Sequence, residues 1–359
     1  MSEGPRWPGR AFATRTLASV RSISTPEGIE RLEQVDVGAD RQWISIRGRH
    51  RANPVLLVVH GGPGTAQMPM GWAFQGPWED FFTVVHWDQR GVGKNATAAD
   101  RQALLPTMTL EQIVCDGQAV IEHLCHTLGK QRVALLGYSW GAIVGVKLAE
   151  RIPGRVSVYA GTGQAISTQY EALILAETLK SAEQAEDRVA LQELRAVDLS
   201  PRADGSLPLD QVRTLRRWAS QYNGLWYGHA DLSTMVDMAV LAPEYEDADV
   251  DAFCAGSGWI MQGQLARDIV SCDLRNVTQL PVPVVLLMGR HDLATPYAAA
   301  AQWLQTLQAP SKHLETFERS AHFAMLEEPG RFLLALLQHV LPHTEGAAAF
   351  APAPRGQAC

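Results

Sequence analysis

Two hydrophobic patterns alternate along this chain. Short, predominantly apolar runs recur at Val55–Val59, Thr83–Trp87, Val133–Leu136, Val156–Gly161 and Pro283–Gly289. Runs of that length without polar alternation predict strands buried on both faces. Between them the period lengthens. Apolar residues at 110, 113, 114, 120, 121, 124 and 128 repeat at helical spacing, and Gly129 supplies a stop. Gln42–Gly48 alternates instead, which predicts an edge strand of an antiparallel start. A further strand is expected around Leu314–Phe317 and a helix from Pro329 to Val340. Strands alternating with helices imply a mostly parallel sheet with helices on both faces, an α/β fold.

Residues 166–275 break this rhythm. They lack strand-like runs, carry helical patterning and hold tryptophans at 218, 226 and 259. They read as an inserted helical cap, with its tryptophans in the core. The expected organisation is a flexible leader (1–30), a first core segment (31–165), the cap (166–275), a second core segment (276–343) and a disordered, low-complexity tail (344–359).

Composition narrows the function. The 359 residues are 46% apolar and 19% charged, with a formal charge of −7. An acidic balance disfavours nucleic acid as a partner. Five scattered cysteines, odd in number and without a C-x-x-C pair, predict neither a disulfide framework nor a zinc site, and fit a reducing cytoplasm. No apolar run approaches the roughly 18 residues of a membrane span. Arg6, Arg10, Arg15 and Arg21 mark the leader, which has neither the apolar segment of a secretion signal nor a transit peptide's amphipathic repeat.

The chemistry concentrates at strand ends. Gly137-Tyr138-Ser139-Trp140-Gly141 follows one buried run and opens a helix. This Gly-x-Ser-x-Gly turn strains the serine backbone, exposes its hydroxyl and aims helix N-terminal N–H groups at a developing oxyanion. Ser139 is therefore the candidate nucleophile. A serine needs a base, and the base needs a carboxylate to hold its tautomer. Asp292 and His322 each follow an expected strand, at the edge where Ser139 lies. His291 and His313 compete with His322, and Asp116 and Asp273 with Asp292, from less suitable positions. The loop His60-Gly61-Gly62-Pro63-Gly64-Thr65 lets backbone approach a ligand closely. Asp88 and Arg90 are expected to shape a turn, pairing with each other or with loop backbone.

These segments resemble the α/β-hydrolase superfamily over roughly residues 30 to 342, and within it the proline iminopeptidase (prolyl aminopeptidase) family of serine peptidases. The carriers are His60–Gly64, Asp88-Gln89-Arg90-Gly91-Val92-Gly93, the Ser-Trp-Gly elbow, Gly289-Arg290-His291-Asp292 and Ala321-His322. The resemblance implies an α/β-hydrolase fold, the triad Ser139, His322 and Asp292, and an oxyanion hole from the N–H groups of Trp140 and Gly62, with Gly61 as the fallback. Family members release an N-terminal residue and hold its amine with cap glutamates. Here Glu171, Glu177, Glu244 and Glu246 are available, and Glu244 is nominated for substrate binding together with Tyr138. Tyr138 stands where the family commonly has Gly, and Ala142 where it often has Ser. A small molecule or short peptide is the expected partner, without membrane, metal or organic cofactor. The alternatives are a carboxylesterase or amidase on small apolar substrates, and a non-catalytic ligand-binding protein on the same scaffold.

Overall fold

A computed structural model describes residues 7, 9–98, 101–203, 208–256 and 258–346. Its eight strands are β1 (Ile29–Val37), β2 (Asp40–Gly48), β3 (Val55–Val59), β4 (Thr83–Trp87), β5 (Val133–Tyr138), β6 (Val156–Thr162), β7 (Val284–Gly289) and β8 (Lys312–Phe317). They form one sheet in the order β1-β2-β4-β3-β5-β6-β7-β8. The β1–β2 and β2–β4 pairs are antiparallel, and all others are parallel.

The apolar runs are explained by two cores. Leu57, Val59 and Leu135 pack into one cluster, while Leu56, Val58, Ala134 and Leu136 pack into another. Alternate residues point to opposite faces and helices cover both, so a central strand needs apolar groups at every position. Gln42–Gly48 is not at an edge. It lies in β2, between β1 and β4, and its last five residues are buried. The edge is β1, whose burial is interrupted by exposed positions.

Helices α1 (Arg10–Arg21), α2 (Leu110–Thr127) and α3 (Trp140–Arg151) precede the cap region. Thr109 caps α2, its hydroxyl accepting from the Gln112 N–H at 3.0 Å. Between β6 and β7 the described residues form no strand. They form α4 (Glu171–Gln184), α5 (Arg188–Arg195), α6 (Leu209–Gln221), α7 (Ser233–Val240), α8 (Asp247–Ala255) and α9 (Gln264–Ser271). Ile174, Ala182, Ala190, Leu194 and Leu215 give α4 to α6 a small core of their own. Trp226 is buried, whereas Trp218 and Trp259 are only half-buried. Helices α10 (Tyr297–Thr306) and α11 (Pro329–Ala335) follow, and α11 continues as a π turn, Leu336–Val340.

Two expectations about the ends need correction. Residues 10–21 are helical rather than a flexible leader, because α1 is tied to distant chain. The Arg10 guanidinium donates to the carbonyls of Ala242 and Tyr245 and to Asp247, and Arg21 pairs with Glu244. At the other end, Thr344 is buried and Glu345 accepts from the Gln131 N–H at 3.0 Å. Residues 1–6, 8 and 347–359 lie outside the described residues. Cys115, Cys125, Cys254 and Cys272 are free thiols. Among the described residues no helix is long and apolar enough to cross a membrane.

Candidate active site

Ser139 lies between β5 and α3 with φ 56° and ψ −119°, a left-handed conformation that a side chain tolerates poorly. The turn survives because its neighbours leave no alternative. The Ser139 N–H donates to Thr162 O at 3.0 Å. A Cβ on Gly141 would come within 1.9 Å of Val59 O, so the helix can approach β3 only with glycine there. The His60–Gly64 loop presses in from the other side, where a Cβ on Gly61 would lie 2.9 Å from the Ser139 Cβ.

That loop is braced by His60. The Gln89 N–H donates to His60 Nε2 at 3.1 Å, the Gln89 side-chain amide to His60 O at 3.0 Å, and Nδ1 lies 2.9 Å from Gly61 O. Burial lowers the imidazole to about pKa 4. It is therefore neutral, with Nδ1–H donating to Gly61 O. Asp88 and Arg90 serve the same strand-end turns, but do not pair with each other. Arg90 forms a two-pronged pair with Asp116 at 2.8 and 2.9 Å, whereas Asp88 accepts from the Lys94 N–H and the Tyr245 hydroxyl. This occupies Asp116, and Asp273 pairs with Arg275. Neither competitor is available to a histidine at the site.

Asp292 and His322 come together from the ends of β7 and β8. His322 Nδ1 lies 2.8 Å from Asp292 Oδ2, and both side chains are buried. The N–H groups of Ala294 and Thr295 donate to Asp292 Oδ1 at 2.8 Å, and the Thr295 hydroxyl donates to Oδ2 at 2.9 Å. Those donors fix the carboxylate, which in turn leaves His322 Nε2 as the free ring nitrogen. Tyr138 packs against the imidazole with ring centroids 5.0 Å apart.

Sequence reading missed the residue that holds the His322 loop. Glu327 accepts from the N–H groups of Ala321 (2.9 Å), Phe323 (3.2 Å) and Tyr227 (2.5 Å). It thus clamps the loop on both sides of His322 and joins it to the cap region, where Leu225 O accepts from the His322 N–H at 3.0 Å. Burial, the largest influence, raises its carboxyl to about 7. An acid five residues after the histidine, just ahead of the helix that opens at Pro329, was the available signal.

Two cavities meet at Ser139. One, of about 230 Å³, is lined by Gly62, Trp140, Gln164, Glu171, Arg216 and Thr295, among others. The second, of about 370 Å³, holds His322 and Tyr138 beside Leu232, Met235, Phe253 and Phe323. Ser139 and Gly62 line both. Glu244 lines neither. It pairs with Arg21 at 2.7 Å beside β1 and β2, in a different depression. The cap-region carboxylate at the site is Glu171, whose one oxygen accepts from Arg216 while Oε2, though buried, has no hydrogen-bond partner. Arg216 also donates to Leu293 O (2.7 Å) and Ala294 O (3.0 Å), joining α6 to the Asp292 loop.

Residues 55–336 match the sequence profile of the alpha/beta hydrolase family. The chain belongs to that family. Among relatives of this alpha/beta hydrolase, a Bacillus subtilis (strain 168) protein described as "Probable aminopeptidase YbaC" is 27% identical over 335 residues, covering 89% of this chain and 99% of its own. A "Proline iminopeptidase" of Neisseria meningitidis serogroup B is 24% identical over 314 residues, covering 80% and 89%. The crystal structure of a proline iminopeptidase from Mycobacterium smegmatis superposes with a TM-score of 0.61 at 22% identity, covering 89% of this chain and 100% of that one.

Proposed function

We propose that this alpha/beta hydrolase is a serine aminopeptidase of the proline iminopeptidase type, releasing an N-terminal residue from short peptides or amides through an acyl-enzyme. The observation that carries the reading is the convergence of the strained Ser139, the Asp292–His322 pair and the Glu171 carboxylate on one pair of cavities. The relatives' names support the same direction.

Each group has a task. His322 Nε2 takes the Ser139 proton as the hydroxyl oxygen attacks the scissile carbonyl, and Asp292 stabilises the resulting imidazolium. The N–H groups of Trp140 and Gly62 receive the oxyanion of the tetrahedral intermediate, in a place where charge develops only during reaction. The imidazolium then protonates the departing amine, the C–N bond breaks, and the acyl group remains on Ser139. Water, deprotonated by His322, attacks the ester and releases the residue. The leaving group departs on the histidine side, so the second cavity receives it and the first holds the acyl portion. Glu171 Oε2, the acceptor without a partner, faces an acyl group's free amine. Tyr138 supports His322 rather than contacting the acyl portion.

The apolar second cavity favours one other reading, a carboxylesterase whose alcohol leaving group occupies it. Kinetics on proline anilide, N-blocked proline anilide, alanine anilide and a short-chain phenyl ester separate the two. Cleavage of the free-amine anilides, lost on blocking, is expected. Turnover of the ester alone replaces the aminopeptidase with the esterase, and turnover of none favours a binding protein.

A further inference from the structure

We propose that His313, Glu315 and His339 form a binding site for a divalent cation of zinc type, remote from Ser139. His313 and Glu315 are two apart on β8, so they share a face of this edge strand. His339 reaches them from the π turn Leu336–Val340, a local change of helical register of the kind that often marks a functional position. His313 Nε2 and His339 Nε2 lie 3.5 and 3.9 Å from the same oxygen, Glu315 Oε2. Donor atoms of the three residues all fall within 4.8 Å of one another.

The spacing suits the ion. Ligands at about 2.0–2.1 Å in a tetrahedron are separated by about 3.3 Å, so the Glu315 contacts at 3.5 and 3.9 Å need a modest contraction, and the remaining edge, with all donors within 4.8 Å, closes as the rings turn. The donors also match, since two imidazoles and a carboxylate are ordinary zinc ligands. Arg331 donates to Glu315 Oε1 at 2.8 Å, which orients the carboxylate and leaves Oε2 toward the histidines. Buried His313 Nε2 has no hydrogen-bond partner, a cost that a metal bond would remove. The imidazoles stack with centroids 3.5 Å apart and planes 16° from parallel. Bringing both lone pairs onto one ion requires the rings to splay, which their partial exposure permits. All three side chains are partly exposed, so water can take the fourth position.

His313 pairs with Val285 near the start of β7, whereas Asp292 lies beyond that strand's far end. The ion would therefore not meet substrate. It would cross-link the edge strand to the C-terminal helical segment and stabilise the folded chain by binding it preferentially.

Titration of chelator-stripped full-length protein with zinc chloride in a calorimeter tests this, alongside Co²⁺ absorption and thermal melts with and without Zn²⁺. Expected are one equivalent bound, tetrahedral Co²⁺ bands and a Zn²⁺-dependent rise in Tm. Glu315→Gln and His339→Ala should each weaken binding at least about tenfold and abolish the rise. His126→Ala, altering an exposed histidine elsewhere, should retain both. Glu315→Gln keeps the side chain's shape and can be assessed even if the histidine variant misfolds. Failure of wild-type protein to bind one equivalent, or undiminished binding in Glu315→Gln, overturns the proposal.

Discussion

The two cavities beside Ser139 differ in what they ask of a substrate. The first offers a buried carboxylate oxygen without a partner, set against Arg216 and several backbone groups. The second is walled by Leu225, Leu232, Met235, Val236, Phe253 and Phe323, with the histidine at its rim. A symmetrical, wholly apolar site would suit an ester with two greasy halves. Here one side can recognise a polar terminus, while the other rewards apolar area. On the proposed aminopeptidase reading, the contrast divides specificity across the scissile bond. On that reading the sheet edge would supply the chemistry and the helices between β6 and β7 the discrimination.

The largest test removes what both sides share. Ser139→Ala should lower kcat about 10⁵-fold or more on every substrate turned over, with the melting curve little changed. Hydrolysis close to wild type by that variant would dissolve the comparison, since neither cavity would then flank the reacting atom.

The next test isolates the polar side. Glu171→Gln removes the charge, and kcat/KM for free-amine substrates should fall about ten- to hundredfold, the scale of a charged hydrogen bond. N-blocked and ester substrates, where turned over, should change much less. Because the Arg216 contact is weakened too, a melting curve must accompany the kinetics. An equal loss on esters would show that Glu171 holds the site's shape rather than an amine.

Why Glu244 was preferred to Glu171 on sequence alone is instructive. Strands and the candidates Ser139, Asp292 and His322 follow from local patterns: an apolar run, a glycine-flanked serine, an acid or histidine just past a strand. The cap region has no such rule, because its residues reach the site through packing between segments distant in sequence. Glu244 faces Arg21, which belongs to a helix that itself looked like a flexible leader. That helix has weak apolar patterning, and its anchors are two arginines, Arg10 and Arg21, reaching groups more than two hundred residues away. Misreading α1 and misplacing Glu244 are thus one error seen from two ends. The β2 edge error has a different cause, since alternation in Gln42–Gly48 says nothing about whether another strand will cover it.

The apolar side responds more gently. Phe253→Ala enlarges the second cavity and should cut kcat/KM for bulky apolar leaving groups about tenfold, while small leaving groups change less. Leaving-group series on both proteins would check this. An effect independent of leaving-group size would assign the second cavity to the acyl portion and reverse the division argued above.

The smallest expected effect lies at the joint between the His322 loop and the cap region. Glu327→Gln leaves the loop's backbone N–H groups a neutral acceptor in place of a charged one, and kcat should fall about three- to fivefold with KM nearly constant. A purely structural role would leave the pH profile alone, whereas ionisation of Glu327 near pH 7 should stabilise the neighbouring imidazolium, so the variant's profile should shift toward lower pH. Stability carries the opposite sign. Burial raises the folded carboxyl to about 7 from its ordinary value of 4.5, so the native state binds the proton more tightly than the unfolded chain. The stability this contributes is fully present below about pH 4.5 and is lost as pH rises through 7. Asp88, raised by burial from 3.8 to about 7, contributes stability that is likewise lost as pH rises through 7, over a window that opens at about 3.8. Wild-type Tm should therefore fall across this range, and Glu327→Gln should remove only part of the fall. A variant whose pH dependence matches wild type in both rate and Tm would mean that Glu327 does not titrate there, leaving it to join the histidine loop to the cap region through its Tyr227 hydrogen bond without tuning the imidazole.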